Sequence, residues 1–141
     1  MKKIVPFLLI LLVILLTYAF LDRNETVLFG DVMENGQITE ILINNESTDK
    51  IVKITNVKLI DKIMKESSKM KVKKTDNYPE EIQYSLILKR EDYKKTSILL
   101  GNNKLDISGS AEEEGIYAIE GRNHLLEIIK NEVLNWMSPV N

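Results

Sequence analysis

The chain has 141 residues, no cysteine and a formal net charge of −2. The missing thiols exclude disulfide cross-links, a thiol nucleophile, a thiolate metal site and an anchor built on a lipidated N-terminal cysteine. An acidic balance in the part beyond the leader argues against nucleic acid as a partner.

Lys2 and Lys3 precede an uncharged, almost wholly apolar run from Ile4 to Leu21, and the next charge is Asp22. As a helix this run rises about 27 Å, close to the hydrocarbon thickness of a bilayer. Residues 1–21 therefore read as one transmembrane helix or signal anchor, and residues 22–141 as a separate domain. The two lysines place the N-terminus on the cytoplasmic side and the domain outside, as a single-pass protein of the cell membrane. Pro6 sits in the first turn, where its missing N–H costs least. The alternative is a signal peptide cleaved near Ala19, which would release the domain. Against it, the run is longer than a usual secretory core, and Phe20 and Leu21 extend it past that site. A helix apolar on every side fits a soluble core poorly.

Beyond the leader, Thr26 to Met33 has strand composition, and Asn35-Gly36 predicts a hairpin returning through Gln37 to Asn44. Lys50 to Thr55 predicts a third strand. Thr55 or Asn56 caps a helix reaching about Ser68, with Val57, Ile60, Ile63, Met64 and Ser67 on its apolar side. Met70 to Lys74 forms a short charged strand, and Thr75 to Glu81 a loop. Ile82 to Arg90 alternates clearly, with Ile82, Tyr84, Leu86 and Leu88 on one side. Lys95 to Leu100, Lys104 to Ser108 and Ile116 to Glu120 supply three further strands. Gly121 or Asn123 then starts a terminal helix to about Met137, stopped by Pro139. Tight turns between successive strands give antiparallel neighbours. The expected fold is α+β: an antiparallel strand meander with two helices packed on one face, preceded by one N-terminal transmembrane helix.

Catalytic signatures are weak. His124 is the only histidine and falls on the polar side of the terminal helix. Glu112-Glu113-Glu114 lacks the alternate spacing of a calcium loop. Ser47 with Lys50 and Ser68 with Lys71 match a bare Ser-x-x-Lys, without the partner motifs that chemistry needs. No phosphate or dinucleotide fingerprint occurs. Carboxylates paired in space for hydrolysis remain open at this level. Asn24 and Asn45 begin formal glycosylation triplets. Tyr78 and Tyr93, in loops, are candidates for a sugar-binding face, whereas periodicity assigns Tyr84 and Trp136 to the core.

The sharper signal is basic. Residues 50–74 hold nine basic and two acidic residues, in a chain otherwise rich in acid. Lys58, Lys62, Lys65 and Lys69 follow helical spacing along one side, and Lys71, Lys73 and Lys74 extend the block. This is a candidate anion-binding surface for a polyanion or lipid headgroups. The bland reading is a solvated helix face with Asp61 and Glu66 as local pairs.

The segments IVKITNVKLIDKIMKES and GIYAIEGRNHLLEII, behind a basic-apolar leader, resemble a loose group of small exported proteins of low-GC Gram-positive bacteria. The abundance of Lys over Arg, and of Ile and Asn, accords with that likeness. Many members carry a lipid-attachment cysteine, which this chain lacks. The resemblance implies an envelope location and no catalytic residues. The expectation is a membrane-anchored, non-catalytic binding module for a protein or envelope component, with no cofactor and no metal. Polyanion binding through the lysines is the alternative, and a carboxylate-dependent hydrolase a lesser one. Oligomeric state is unread.

Overall fold

The computed structural model describes residues 4–23 and 25–138. Lys2, Lys3, Asn24 and Pro139, which carry the orientation, one glycosylation triplet and the helix stop, lie outside them. The described residues form an α+β fold: an eight-stranded antiparallel sheet and four helices. Helix α1 (Ile4–Arg23) carries no charge from Ile4 to Leu21, and 0% of that 18-residue window is buried. It is long enough to cross a bilayer.

The domain proper begins with β1 (Thr26–Leu28), followed by a single helical turn, α2 (Phe29–Val32). The expected strand to Met33 ends early because Phe29, Val32 and Met33 recur at helical spacing, and all three are buried. The expected hairpin at Asn35-Gly36 does not form. Gly36 does adopt a positive φ of 146°, but it leads into β2 (Ile38–Asn45), which lies far from β1 in the sheet. Turn chemistry made the bend, and the ladder went elsewhere.

The remaining elements follow the alternation closely. They are β3 (Lys50–Ile54), α3 (Val57–Ser67), β4 (Lys71–Lys74), β5 (Tyr84–Arg90), β6 (Lys95–Leu100), β7 (Lys104–Gly109), β8 (Gly115–Glu120) and α4 (His124–Asn131). The sheet order is β1-β4-β8-β7-β6-β5-β2-β3. β5 to β8 form the expected meander, while β4 crosses over to sit between β1 and β8. At Gly109 the φ is 90°, and an added Cβ would lie 2.5 Å from the Lys95 carbonyl oxygen. Only glycine allows the β6–β7 ladder to close there.

One core holds the fold. Ile41, Ile43, Leu86, Leu88, Ile98, Leu100, Leu105, Ile107, Val72 and Tyr117 project from one side of the sheet. Against them lie Ile60 and Ile63 of α3, Leu125, Leu126, Ile128 and Ile129 of α4, and Phe29 and Val32 of α2. Helices α3 and α4 are both capped by asparagine. Asn56 Oδ1 accepts from the Leu59 N–H at 3.0 Å, and Asn123 Oδ1 from the Leu126 N–H at 3.0 Å. Val57, expected on the apolar side of α3, is instead 57% exposed. It precedes the first buried turn and points out beside the cap.

The terminal helix is shorter than its apolar pattern predicts. It stops at Asn131, and the chain extends to pair Met137 with Ile51 on the outer edge of β3. Both main-chain bonds of that bridge form, at 2.9 and 2.8 Å. Trp136 stacks on Tyr84 with ring centroids 6.1 Å apart. Pairing to an open edge and an aromatic contact outcompete further helical turns.

Arg90 is a buried exception in this apolar interior, only 2% exposed. Its guanidinium donates to Thr96 Oγ1 at 2.9 Å and to the Glu34 carbonyl at 3.2 Å. Thr96 in turn donates to the Ser110 carbonyl. The arrangement ties the residue 33–37 connection and the 110–114 loop to the end of β5.

Candidate interaction surfaces

Helices α2, α3 and α4 pack on one side of the sheet, and no element of the domain covers the other among the described residues. Strand alternation decides what it presents. The cross-strand pairs Leu42↔Ile87, Ser85↔Leu99 and Asp106↔Ile116 place four apolar side chains in adjoining rows. Ile51, opposite Asn44, adds a fifth. Ile87 at the centre is 39% exposed and the other four are half-buried.

The same alternation puts Lys53, Lys71, Lys73, Lys89, Lys95 and Lys104 on the open side. Their pairings with Leu42, Glu120, Ala118, Glu40 and again Ala118 fix that placement, and Lys95 stands opposite Lys89. Glu40, Asp106 and Glu120 share these rows, and the Glu46 carboxylate joins them through Asn44 and Ser85. Lys53 pairs with Glu40 at 3.0 Å. Glu120 accepts from the Thr26 hydroxyl at 2.7 Å. Among the described residues, Lys71, Lys73, Lys89, Lys95 and Lys104 form no ion pair.

The basic block expected from sequence is divided by this geometry. Lys58, Lys62, Lys65 and Lys69 line the solvent side of α3, on the helix layer. Lys71 and Lys73 alternate with buried Val72 and so belong to the opposite surface. Lys62 is paired with Glu132 and Lys69 with Glu66 at 3.0 Å, so half of the helical stripe is neutralised locally. Lys69 holds the Glu66 carboxyl below its ordinary range. Lys74 pairs with Glu113. Lysines 53, 89, 95 and 104 escaped the sequence reading. Each occupies an alternate position facing away from the core, but joining them requires the strand order.

The other expected chemistry is occupied locally. The Glu112–Glu114 loop is fastened by Lys74 to Glu113 and by the Gly109 N–H to Glu114 Oε1 at 2.6 Å. The Tyr117 hydroxyl donates to the Glu113 carbonyl at 2.9 Å, and burial pushes its pKa up to about 12. Ser68 donates to the Lys65 carbonyl at 2.8 Å, and Ser47 to Asn45 Oδ1 at 2.8 Å. Asn45 also accepts from the Ser47 N–H, in a polar turn. His124 is half-buried on α4, and Arg122 beside it holds the Glu127 carboxyl below its ordinary range. Tyr93 is 81% exposed with a φ of 66°, and Tyr78 is 50% exposed.

Two glutamates approach a cavity of about 550 Å³ lined also by Ser47, Tyr84 and Lys130. They are Glu46 and Glu81, and Glu46 is already bound by Ser85 and by Asn44 Nδ2 at 3.0 Å. Among the described residues, no three His, Asp or Glu side chains converge.

Both sheet edges are short of free ladder. β1 offers three residues, and Ile51 at the β3 edge spends both main-chain groups on Met137. No protein family model, curated protein or solved structure matches this chain.

Proposed function

We propose that this chain is a single-pass membrane protein whose external domain is a non-catalytic binding module, engaging a protein or envelope component. Helix α1 is the anchor, with the N-terminus cytoplasmic. The reading rests on one observation: a sheet covered by helices on one side only, with Leu42, Ile87 and Leu99 adjoining on the other. A contiguous apolar group rimmed by charge is the surface that recognition uses. Strand addition is the weaker route, because the β3 edge is partly spent on Met137.

Site-specific photocrosslinking in intact cells tests the reading. A photoreactive residue at Ile87 gives a discrete adduct, which Leu42→Asp removes, while the same group at Asp61 on α3 gives none. Equal or absent adducts at both positions refute it. Alkaline extraction tests the anchor separately: the chain stays with the membrane pellet, and release into the supernatant refutes the membrane assignment.

A further inference from the structure

We infer that the open sheet face lies on the anionic headgroups of the same bilayer that holds α1. The inference rests on the anchor reading above and names the envelope component as lipid. Charge is unevenly distributed over the domain. Residues 22–141 hold 17 basic and 21 acidic side chains, yet the open face carries six lysines against four carboxylates, Glu46 included. Five of the six lysines form no ion pair among the described residues. On the helix layer, by contrast, two of the four stripe lysines are spent on Glu132 and Glu66.

The tether makes the bilayer the occupant. α1 ends at Arg23 and β1 starts at Thr26, so at most about 10 Å of chain separates span from sheet. That is close to the screening length at physiological salt, so the domain feels the surface potential. β1 pairs directly with β4, with Thr26 opposite Lys73 and Leu28 opposite Lys71. Two unpaired lysines are therefore held beside the point where the chain leaves the membrane. The eight strands then present a surface about 34 Å wide, long enough to rest on headgroups. Half-buried Leu42, Leu99 and Ile116 with exposed Ile87 add the apolar contribution that an interfacial surface combines with lysine.

The absence of native cysteine allows the test on the full chain, reconstituted in phosphatidylcholine vesicles with or without phosphatidylglycerol. A single fluorophore is placed at Ser108→Cys, exposed on the open face, or at Asp61→Cys, exposed on α3. A quencher rides on the headgroups. The Ser108 label is quenched in vesicles containing phosphatidylglycerol, and salt reverses the effect. The Asp61 label is indifferent to both. Lys95→Glu with Lys104→Glu lowers the docked-to-undocked ratio at least about 25-fold, at about fivefold per lysine. Lys95→Glu faces Lys89, so it replaces a like-charged pair with an opposite one and spares the fold.

Equal responses at the two labels, stronger quenching at Asp61, or indifference to phosphatidylglycerol overturns the docking. A protein adduct at Ile87 without quenching at Ser108 overturns it too, while leaving the binding module standing. Release of the chain by alkaline carbonate refutes the anchor, and the docking with it.

Discussion

Two glycines in left-handed backbone separate conformational cost from steric cost. Gly109 has a φ of 90° and Gly121 a φ of 80°. An added Cβ at Gly121 meets nothing within 4 Å, whereas at Gly109 it would stand 2.5 Å from the Lys95 carbonyl oxygen. Gly121→Ala therefore incurs only the left-handed penalty, about 1–2 kcal/mol. Gly109→Ala incurs that penalty and a collision with backbone that cannot swing away, because Thr96 next to Lys95 is paired across to Gly109. Overpacking of this kind adds about 1–3 kcal/mol, giving a total of about 2–5 kcal/mol. For a domain of about 120 residues, 1 kcal/mol moves Tm by about 4 °C. Thermal unfolding of the full chain in detergent, followed by near-ultraviolet circular dichroism, should show losses of about 4–8 °C for Gly121→Ala and 8–20 °C for Gly109→Ala. Equal losses would refute the claim that the β6–β7 connection is fixed by close approach.

Leu86→Ala, on the core side of β5, should cost about 2–5 kcal/mol, while Ile87→Ser next to it should cost under about 1 kcal/mol; urea unfolding of both checks which side of the sheet is core. Asn123→Ala should cost more than Asn56→Ala in the same measurement. Asn56 acts only as a cap, worth about 1 kcal/mol, whereas the Asn123 amide also donates to the Gly101 and Asn102 carbonyls at 3.0 and 2.9 Å. Because the folded pKa of Tyr117 is raised to about 12, its neutral form stabilises the fold fully below about pH 10, and that stability is lost as pH rises toward 12. Tyr117→Phe should flatten this alkaline decline in a pH series of melting temperatures; an unchanged decline would show that another group governs it.

Local chemistry reached the strands of the meander and the cap of α3. Tyr84, Leu86 and Leu88 alternate plainly, and Asn56 stands where its amide can accept from the first turn. The failures share a cause: each was decided by a distant partner. Thr26–Leu28 reads as the first arm of a hairpin, yet its ladder partner is Lys71–Lys73, more than forty residues away. Val133 and Trp136 continue a helical stripe, but the unpaired edge of β3 takes that segment. Arg90 ends the Ile82 to Arg90 alternation on the side of Leu86 and Leu88, and only the fold shows Thr96 and Glu34 waiting for it. The open-face lysines escaped for the same reason. A helical stripe is visible at spacings of three and four, whereas Lys53, Lys71, Lys89, Lys95 and Lys104 become one surface only after the strands are ordered.

The position of β1 joins the two extremes of the domain's sequence. Its neighbour β4 is itself seated against β8, whose last residue is Glu120. During synthesis the first strand leaves the ribosome more than forty residues ahead of its ladder partner, and the far flank of that partner is covered only by the last strand to emerge. This end of the sheet is therefore complete only when nearly the whole chain has been made.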